Sequence, residues 1–234
     1  MLEVKKLSKE FKNTKGKDHK RVLQDVSFYV DDNEIVSITG KSGEGKSTIA
    51  RILCGTVKAD SGQVIYDGKE IISEKKKFDT SIYPKIQIIP QQPFAALDPK
   101  QRIGDAIAEP MLHHKFATDF SSAKEEVKRL LNEVWLDNSI MERYPSQISG
   151  GQAQRVVIAR ALSVKPTLLI ADESTSMLDI LSQAQVVSIY RKLMKKGKLS
   201  MLFISHDKDL VNNFTDREYE LKNGILKERR ELEV

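Results

Sequence analysis

One stretch, Gly40-Lys41-Ser42-Gly43-Glu44-Gly45-Lys46-Ser47-Thr48, restricts the fold and chemistry of this chain more tightly than any other. It follows the apolar run Ile35-Val36-Ser37-Ile38-Thr39 and precedes Ile49-Ala50-Arg51-Ile52-Leu53, whose apolar positions repeat at helical spacing. Strand, glycine-rich turn and helix, in that order, give the pattern G-x-x-x-x-G-K-[ST] the setting in which it cradles phosphate. Glycines let backbone N–H groups converge without Cβ obstruction. The start of the helix adds unsatisfied donors and a partial positive charge. Lys46 is placed to reach β- and γ-phosphates, and the Ser47 hydroxyl to ligate Mg²⁺. A Gly/Ser turn without function is the bland alternative, but chance produces the pattern in roughly one chain per hundred of this length. The stretch predicts a nucleoside-triphosphate site.

The 234 residues, 40% of them hydrophobic, suffice for one large domain or a domain with a second lobe. No apolar run approaches the roughly 18–20 residues of a membrane span. Met1-Leu2-Glu3-Val4-Lys5-Lys6 lacks the apolar core of a secretory signal. The single cysteine, Cys54, excludes an internal disulfide and reads as a small buried packing residue. Together these features predict a cytosolic protein. The net charge of +5 fits a nucleotide binder or a protein near an anionic membrane face. Lys75-Lys76-Lys77 and Lys195-Lys196 read as solvated surface, and without a basic stripe interleaved with aromatics no nucleic-acid partner is expected.

Leu2–Leu7 and Val26–Val30 read as strands, the first with imperfect alternation, and the polar residues 12–20 between them as an exposed loop. Gln63–Tyr66 is a strand leading into an Asp67-Gly68 hairpin turn, while residues 69–85 carry no clear pattern. Ile86–Ile89 is a short buried strand. From about residue 94 to 165 the spacing turns helical, with candidate helices Ile103–Glu109, Ser122–Val134 and Gln152–Ser163 and with Pro110, Pro145 and Pro166 as stops. Thr167–Ala171 and Ser200–Ile204 are buried strands, Val186–Lys195 and Asp207–Asn213 helices, and Arg217–Leu221 with Ile225–Glu228 a closing hairpin. This order predicts one nucleotide-binding domain over 1–234, in which 1–93 and 166–234 form an α/β core and about 94–165 an inserted helical lobe.

Two further clusters bear on chemistry. Leu168-Leu169-Ile170-Ala171-Asp172-Glu173 ends a buried strand in two carboxylates. In phosphate-loop enzymes such an aspartate orients Mg²⁺ or its water shell. Alternation along the strand turns Glu173 elsewhere, free to hold an attacking water. Two acids reaching solvent at a strand end are the simpler explanation. Ser149-Gly150-Gly151-Gln152 then opens an amphipathic run ending at Leu162. Ser149 with Gln152 is a capping-box pattern, yet glycines in a first turn cost about 1 kcal/mol each against alanine. They make sense if backbone N–H groups must approach a second anion closely.

Ser149-Gly150-Gly151-Gln152, followed by Gln154-Arg155, resembles the signature of ATP-binding cassette (ABC) ATPases, with Ile148 where that family usually has leucine. Other motifs fall in the same order. Gln91 resembles the family's Q-loop glutamine, Ser176-Met177-Leu178-Asp179 its D-loop, and His206 its switch histidine; Phe11 is the aromatic best suited to stack on adenine, with a core aromatic as the alternative. The resemblance spans essentially the whole chain. It implies an α/β fold: a P-loop NTPase core of the ABC-ATPase type with an N-terminal antiparallel β subdomain and an inserted α-helical subdomain. It also implies a head-to-tail dimer. Gly40 to Thr48, Gln91, Asp172, Glu173 and His206 would act on one ATP, and Ser149, Gly150, Gly151 and Gln152 on the partner's; Asp179 of the D-loop would also contact nucleotide. Ser47, Gln91 and Asp172 would surround Mg²⁺. Glu173 would be the general base and His206 a γ-phosphate contact.

Gln91–Pro99, Ile103–Pro110 and Tyr144–Gln147 are similar to segments of importers of oligopeptides, dipeptides and nickel, where this region meets the coupling helix of a membrane subunit. The implied function is ATP hydrolysis powering import of nickel, metal chelates or peptides, at the cytoplasmic face of the membrane. The implied partners are a second, paralogous ATPase subunit, two permease subunits and an extracytoplasmic substrate-binding protein. Peptide-importing members usually carry a C-terminal extension, often with clustered cysteines; an end at Val234 with one cysteine leans toward the nickel branch. A soluble ABC ATPase of translation or DNA repair is the alternative from another class. A catalytically dead cassette is another, against which Lys46, Asp172, Glu173 and His206 count.

Overall fold

Ile35–Thr39 (β3) is buried at every residue, as a strand covered on both faces must be. In a computed structural model, which describes residues 1–12, 19–73 and 78–229, it lies among Ile86–Ile89 (β6), Leu168–Asp172 (β7), Ser200–Ile204 (β8), Arg217–Lys222 (β9) and Ile225–Arg229 (β10). These form a six-stranded sheet of order β10-β9-β3-β8-β7-β6. All neighbours are parallel except the edge strand β10, which folds back on β9 through the Asn223-Gly224 turn. Alternation along the strands divides the interior. Leu169, Ala171, Met201 and Phe203 join the helices of one core cluster, while Leu168, Ile170, Leu202 and Ile204 face the other.

That second cluster is closed by Lys46–Leu53 (α1) and by a four-stranded antiparallel sheet of Leu2–Lys12 (β1), His19–Val30 (β2), Ser61–Tyr66 (β4) and Lys69–Ile72 (β5), in the order β2-β1-β4-β5. The other face is covered by Ile103–His113 (α2), Phe120–Glu133 (α3), Gly150–Leu162 (α4), Ile180–Met194 (α5) and Lys208–Phe214 (α6). The α/β core, the antiparallel β subdomain and the inserted helices agree with the expected fold class.

Several expected boundaries move, for physical reasons. β1 and β2 run on past Leu7 and start well before Val26, pairing as far as Lys12 with His19. Register shifts between Val4 and Glu10, with Lys6 at φ 49°, break the alternation that made β1 look short. Lys12, His19 and Lys20, read as loop, therefore belong to strands; 13–18 and the run Lys75-Lys76-Lys77 lie outside the described residues. The 69–85 segment contains β5 and a short 3₁₀ turn at Thr80–Ile82. α2 does not stop before Pro110 but continues to His113. Proline has no N–H for the carbonyl four residues back, and Arg160 Nε donates to that carbonyl, Ala106 O, at 3.0 Å. α5 begins at Ile180, ahead of the expected Val186, because Asp179 caps it; Ile180 and Leu181 are exposed and so fall outside the apolar period.

Candidate functional site

The phosphate loop takes its shape from the crowding around it. Gly40, Gly43 and Gly45 all have positive φ. At Gly45, with φ 107°, a Cβ would stand 2.6 Å from Val22 Cγ1, so only glycine fits beneath β2. α1 then starts at Lys46 with no side-chain cap and no acidic residue in its first turn. α3, α4, α5 and α6 are each capped by a side chain, from Asp119, Ser149, Asp179 and Asp207 respectively. α1 and α2 lack such a cap, and of the two only α1 follows the glycine loop, where its free N–H groups suit an anion. Lys41 N donates to Glu44 Oε2 at 3.1 Å, bracing the loop. Ser42, Ser47 and Thr48 line a cleft of about 280 Å³ that Gln91 and Glu173 close from the other side.

Inside the cleft the charges are paired. Lys46 is 4% exposed; its Nζ donates to Gly40 O at 2.9 Å and Lys41 O at 3.0 Å and lies 3.4 Å from Glu173 Oε1. Gln91 Nε2 donates to Glu173 Oε2 at 3.0 Å and to Ser176 Oγ at 3.3 Å. His206 Nδ1 is 3.7 Å from Glu173 Oε1, with its ring mostly exposed. Glu173 is therefore the point where lysine, glutamine and histidine converge. Strand alternation is not what separates it from Asp172, because β7 ends at Asp172 and Glu173 turns with φ 47°. A left-handed non-glycine residue costs of order 1 kcal/mol. Here Glu173 N donates to Ile204 O at 2.9 Å, and Ser176 N and Oγ donate to Glu173 O at 3.1 and 2.9 Å.

Ser47 Oγ donates to Asp172 Oδ1 at 2.9 Å. Burial raises the Asp172 pKa above the usual carboxylate value, the Ser47 bond opposes that, and the Glu173 charge adds to it. A hydroxyl and a carboxylate oxygen side by side suit a hard divalent cation. Among the described residues no cluster of three metal-ligating His, Cys, Asp or Glu exists, so such an ion would complete its shell with water and phosphate oxygens, as Mg²⁺ does. Gln91 turns its nitrogen to Glu173, leaving its oxygen as the atom for a cation.

The remaining expected residues lie elsewhere. Ser149 Oγ accepts from Gln152 N at 3.2 Å and Ser149 N donates to Gln152 Oε1 at 3.0 Å, a complete capping box. None of these four residues lines the phosphate cleft. The two glycines differ: a Cβ at Gly151 would meet Ser182 Oγ at 2.6 Å, whereas one at Gly150 would meet nothing within 4 Å. Gly151 is explained by packing on α5, and only Gly150 faces open space. Asp179 accepts from Ser182 N at 3.0 Å and from Ser182 Oγ at 2.7 Å, and those bonds hold its carboxyl below the usual range. Phe11 is an exposed aromatic on β1 rather than a core one, with Lys9 Nζ 5.3 Å from the ring centre. One contributor escaped the sequence reading, Val22, which walls the cleft from β2, and Ser176, read there only as part of the D-loop resemblance, fixes both Gln91 and the Glu173 turn. Nothing in the pattern around Val22 marks it.

The family described as ABC transporter matches residues 23–176. An oligopeptide transport ATP-binding protein OppF of Haemophilus influenzae is 39% identical over 197 residues, covering 84% of this chain and 59% of its own. That of Streptococcus pyogenes serotype M1 is 36% identical over 234 residues, covering all of this chain and 76% of its own. The chain thus spans only part of the length of these relatives. Among solved structures, the ATP-binding cassette MJ0796, a dimer in a post-hydrolysis state bound to ADP and Pi, superposes with a TM-score of 0.86 at 28% identity over 98% of both chains.

Proposed function

The chain belongs to the ABC transporter family, and from that premise we propose that it is the ATP-hydrolysing subunit of an importer of oligopeptides. The observation that carries the proposal is the convergence of Lys46, Gln91 and His206 on Glu173, at the mouth of an uncapped helix. ATP enters with its β- and γ-phosphates against the N–H groups of Gly43 to Thr48. Lys46 then exchanges the loop carbonyls and Glu173 for phosphate oxygens. Released from Lys46, the Glu173 carboxylate orients the attacking water and takes its proton. Gln91 and Ser176 keep it aimed, and His206 donates toward the γ-phosphate. Phe11, an exposed aromatic, is the residue that would stack on adenine. Ser47, Asp172 and the Gln91 oxygen hold Mg²⁺, which when bound neutralises charge on the phosphate oxygens.

Ser149, Gly150, Gly151 and Gln152, remote from this cleft, serve the nucleotide of a head-to-tail partner, with Asp179 at the same seam. That MJ0796 is a dimer supports the pairing of two cassettes. The partner is a second ATPase subunit paralogous to this one. Two permease subunits and an extracytoplasmic binding protein complete the assembly at the cytoplasmic face of the membrane; among the described residues no helix is long and apolar enough to cross it. The relatives favour peptides as cargo, against the lean toward nickel drawn from the end at Val234. Glu173→Gln tests the reading. The variant should hold ATP but turn over at least about 100-fold more slowly, trapping the closed dimer. Phosphate release at the parent rate refutes it.

A further inference from the structure

Behind the cleft lie buried polar groups that the hydrolytic machinery does not use. Tyr190, on α5, is fully buried and its hydroxyl is 3.0 Å from Ser174 Oγ. Ser174, 1% exposed, directly follows Glu173. Gln154, in the second turn of α4, is also fully buried, and neither its amide oxygen nor its nitrogen has a hydrogen-bond partner among the described residues. Burial drives the Tyr190 phenol's pKa up, while the Ser174 hydroxyl and the Gln154 amide oppose that rise, and α4, which bears Gln154, packs on α5, which bears Tyr190.

A buried amide left unpaired is a cost that a methionine or leucine of similar volume would avoid, and such a group in a native interior calls for a reason. Its position supplies one. Gln154 sits on the helix whose tip is Ser149 to Gln152, and Ser174 on the backbone of the Glu173 turn. That turn is left-handed, a conformation that persists only where its surroundings over-determine it. We propose that Tyr190 and Gln154 are positioning residues for ATP hydrolysis: through Ser174, Tyr190 holds the turn that presents Glu173, and Gln154 ties that turn to the helix bearing the Ser-Gly-Gly-Gln tip. A small approach of α4 to α5 completes the amide–phenol bond and stiffens the turn, so docking at the helix tip is felt at Glu173. The proposal rests on Glu173 acting in hydrolysis.

The test compares kcat and KM for ATP, together with Tm, in the complex in which the parent turns over, for the parent, Tyr190→Phe and Gln154→Met. Tyr190→Phe should lose about fivefold in kcat with KM within about twofold, the signature of an interaction made in the transition state. Gln154→Met removes the unpaired amide, so Tm should rise by about 2–4 °C while kcat falls by a similar factor. A merely structural role predicts altered Tm with kcat intact in both, and that result overturns the proposal. Should Tyr190→Phe fold poorly, Gln154→Met decides by itself. Parent-rate hydrolysis in Glu173→Gln would instead remove the premise, so the two failures are distinguishable.

Discussion

Replacing each signature glycine by alanine should move stability in opposite directions while lowering hydrolysis in both. At Gly150 nothing stands within 4 Å of a new Cβ, so alanine contributes its helix propensity, about 0.5–1 kcal/mol over glycine. For a chain of this size that raises Tm by roughly 1–4 °C. At Gly151 the methyl would stand 2.6 Å from Ser182 Oγ and 3.1 Å from Ser182 Cβ. Ser182 cannot yield freely, because its Oγ and N both donate to Asp179, the cap of α5. Overpacking of this kind costs about 1–3 kcal/mol, which exceeds the propensity gain, so Gly151→Ala should melt several degrees lower. Differential scanning fluorimetry reads both shifts. Phosphate release in the assembled complex reads the function: Gly150→Ala should hydrolyse ATP at least about tenfold more slowly, because its open face is reserved for the partner's nucleotide. A stabilised Gly150→Ala that hydrolyses ATP at the parent rate would show that glycine is not kept there for a ligand.

Lys46→Ala removes the cation 3.4 Å from Glu173 and should weaken ATP binding on the order of 100-fold, measured by calorimetry; affinity near the parent's would contradict the phosphate assignment. Asp172 has a folded pKa raised by burial. Its charge therefore opposes folding, and the stability of the Mg²⁺-free protein should decline as pH rises through that value. Asp172→Asn should melt higher than the parent at pH 7 without Mg²⁺ yet lose the Mg²⁺ dependence of nucleotide binding, and a lower Tm would contradict the burial argument. Cys54 is buried and its thiol is pushed up to about 12, first by desolvation and then by the Asp172 charge. It should resist a thiol-reactive probe at pH 8 until the protein is unfolded, and rapid labelling of the native protein would refute this.

Strand interiors were the most readable part of the chain. β3, β6 and β8 are mostly apolar, and their limits coincide with the expected strands Ile35–Thr39, Ile86–Ile89 and Ser200–Ile204. Misplaced boundaries occur where a distant group intervenes. Pro110 looked like a stop because the group that bonds the stranded carbonyl, Arg160, lies in another helix. β1 looked short because its bulges interrupt the period-2 signal. In the site, the phosphate loop and the acid pair were visible as local patterns, since backbone geometry dictates their residue types. The convergence on Glu173 was not, because Lys46, Gln91 and His206 come from distant parts of the chain, and its left-handed turn depends on Ile204 O as well as on the nearby Ser176. Gly150 and Gly151 look identical in the sequence, and only the position of Ser182 separates them.

The Arg160 guanidinium acts as a fastener between elements. Besides Ala106 O it donates to Ala96 O at 3.0 Å and to Glu109 Oε2 at 2.9 Å, so one side chain of α4 rivets the segment after Gln91 and the middle of α2 to the same helix. Parts fastened this way travel as a block. A displacement of that block would therefore be carried along α4, whose other end is the glycine-rich tip.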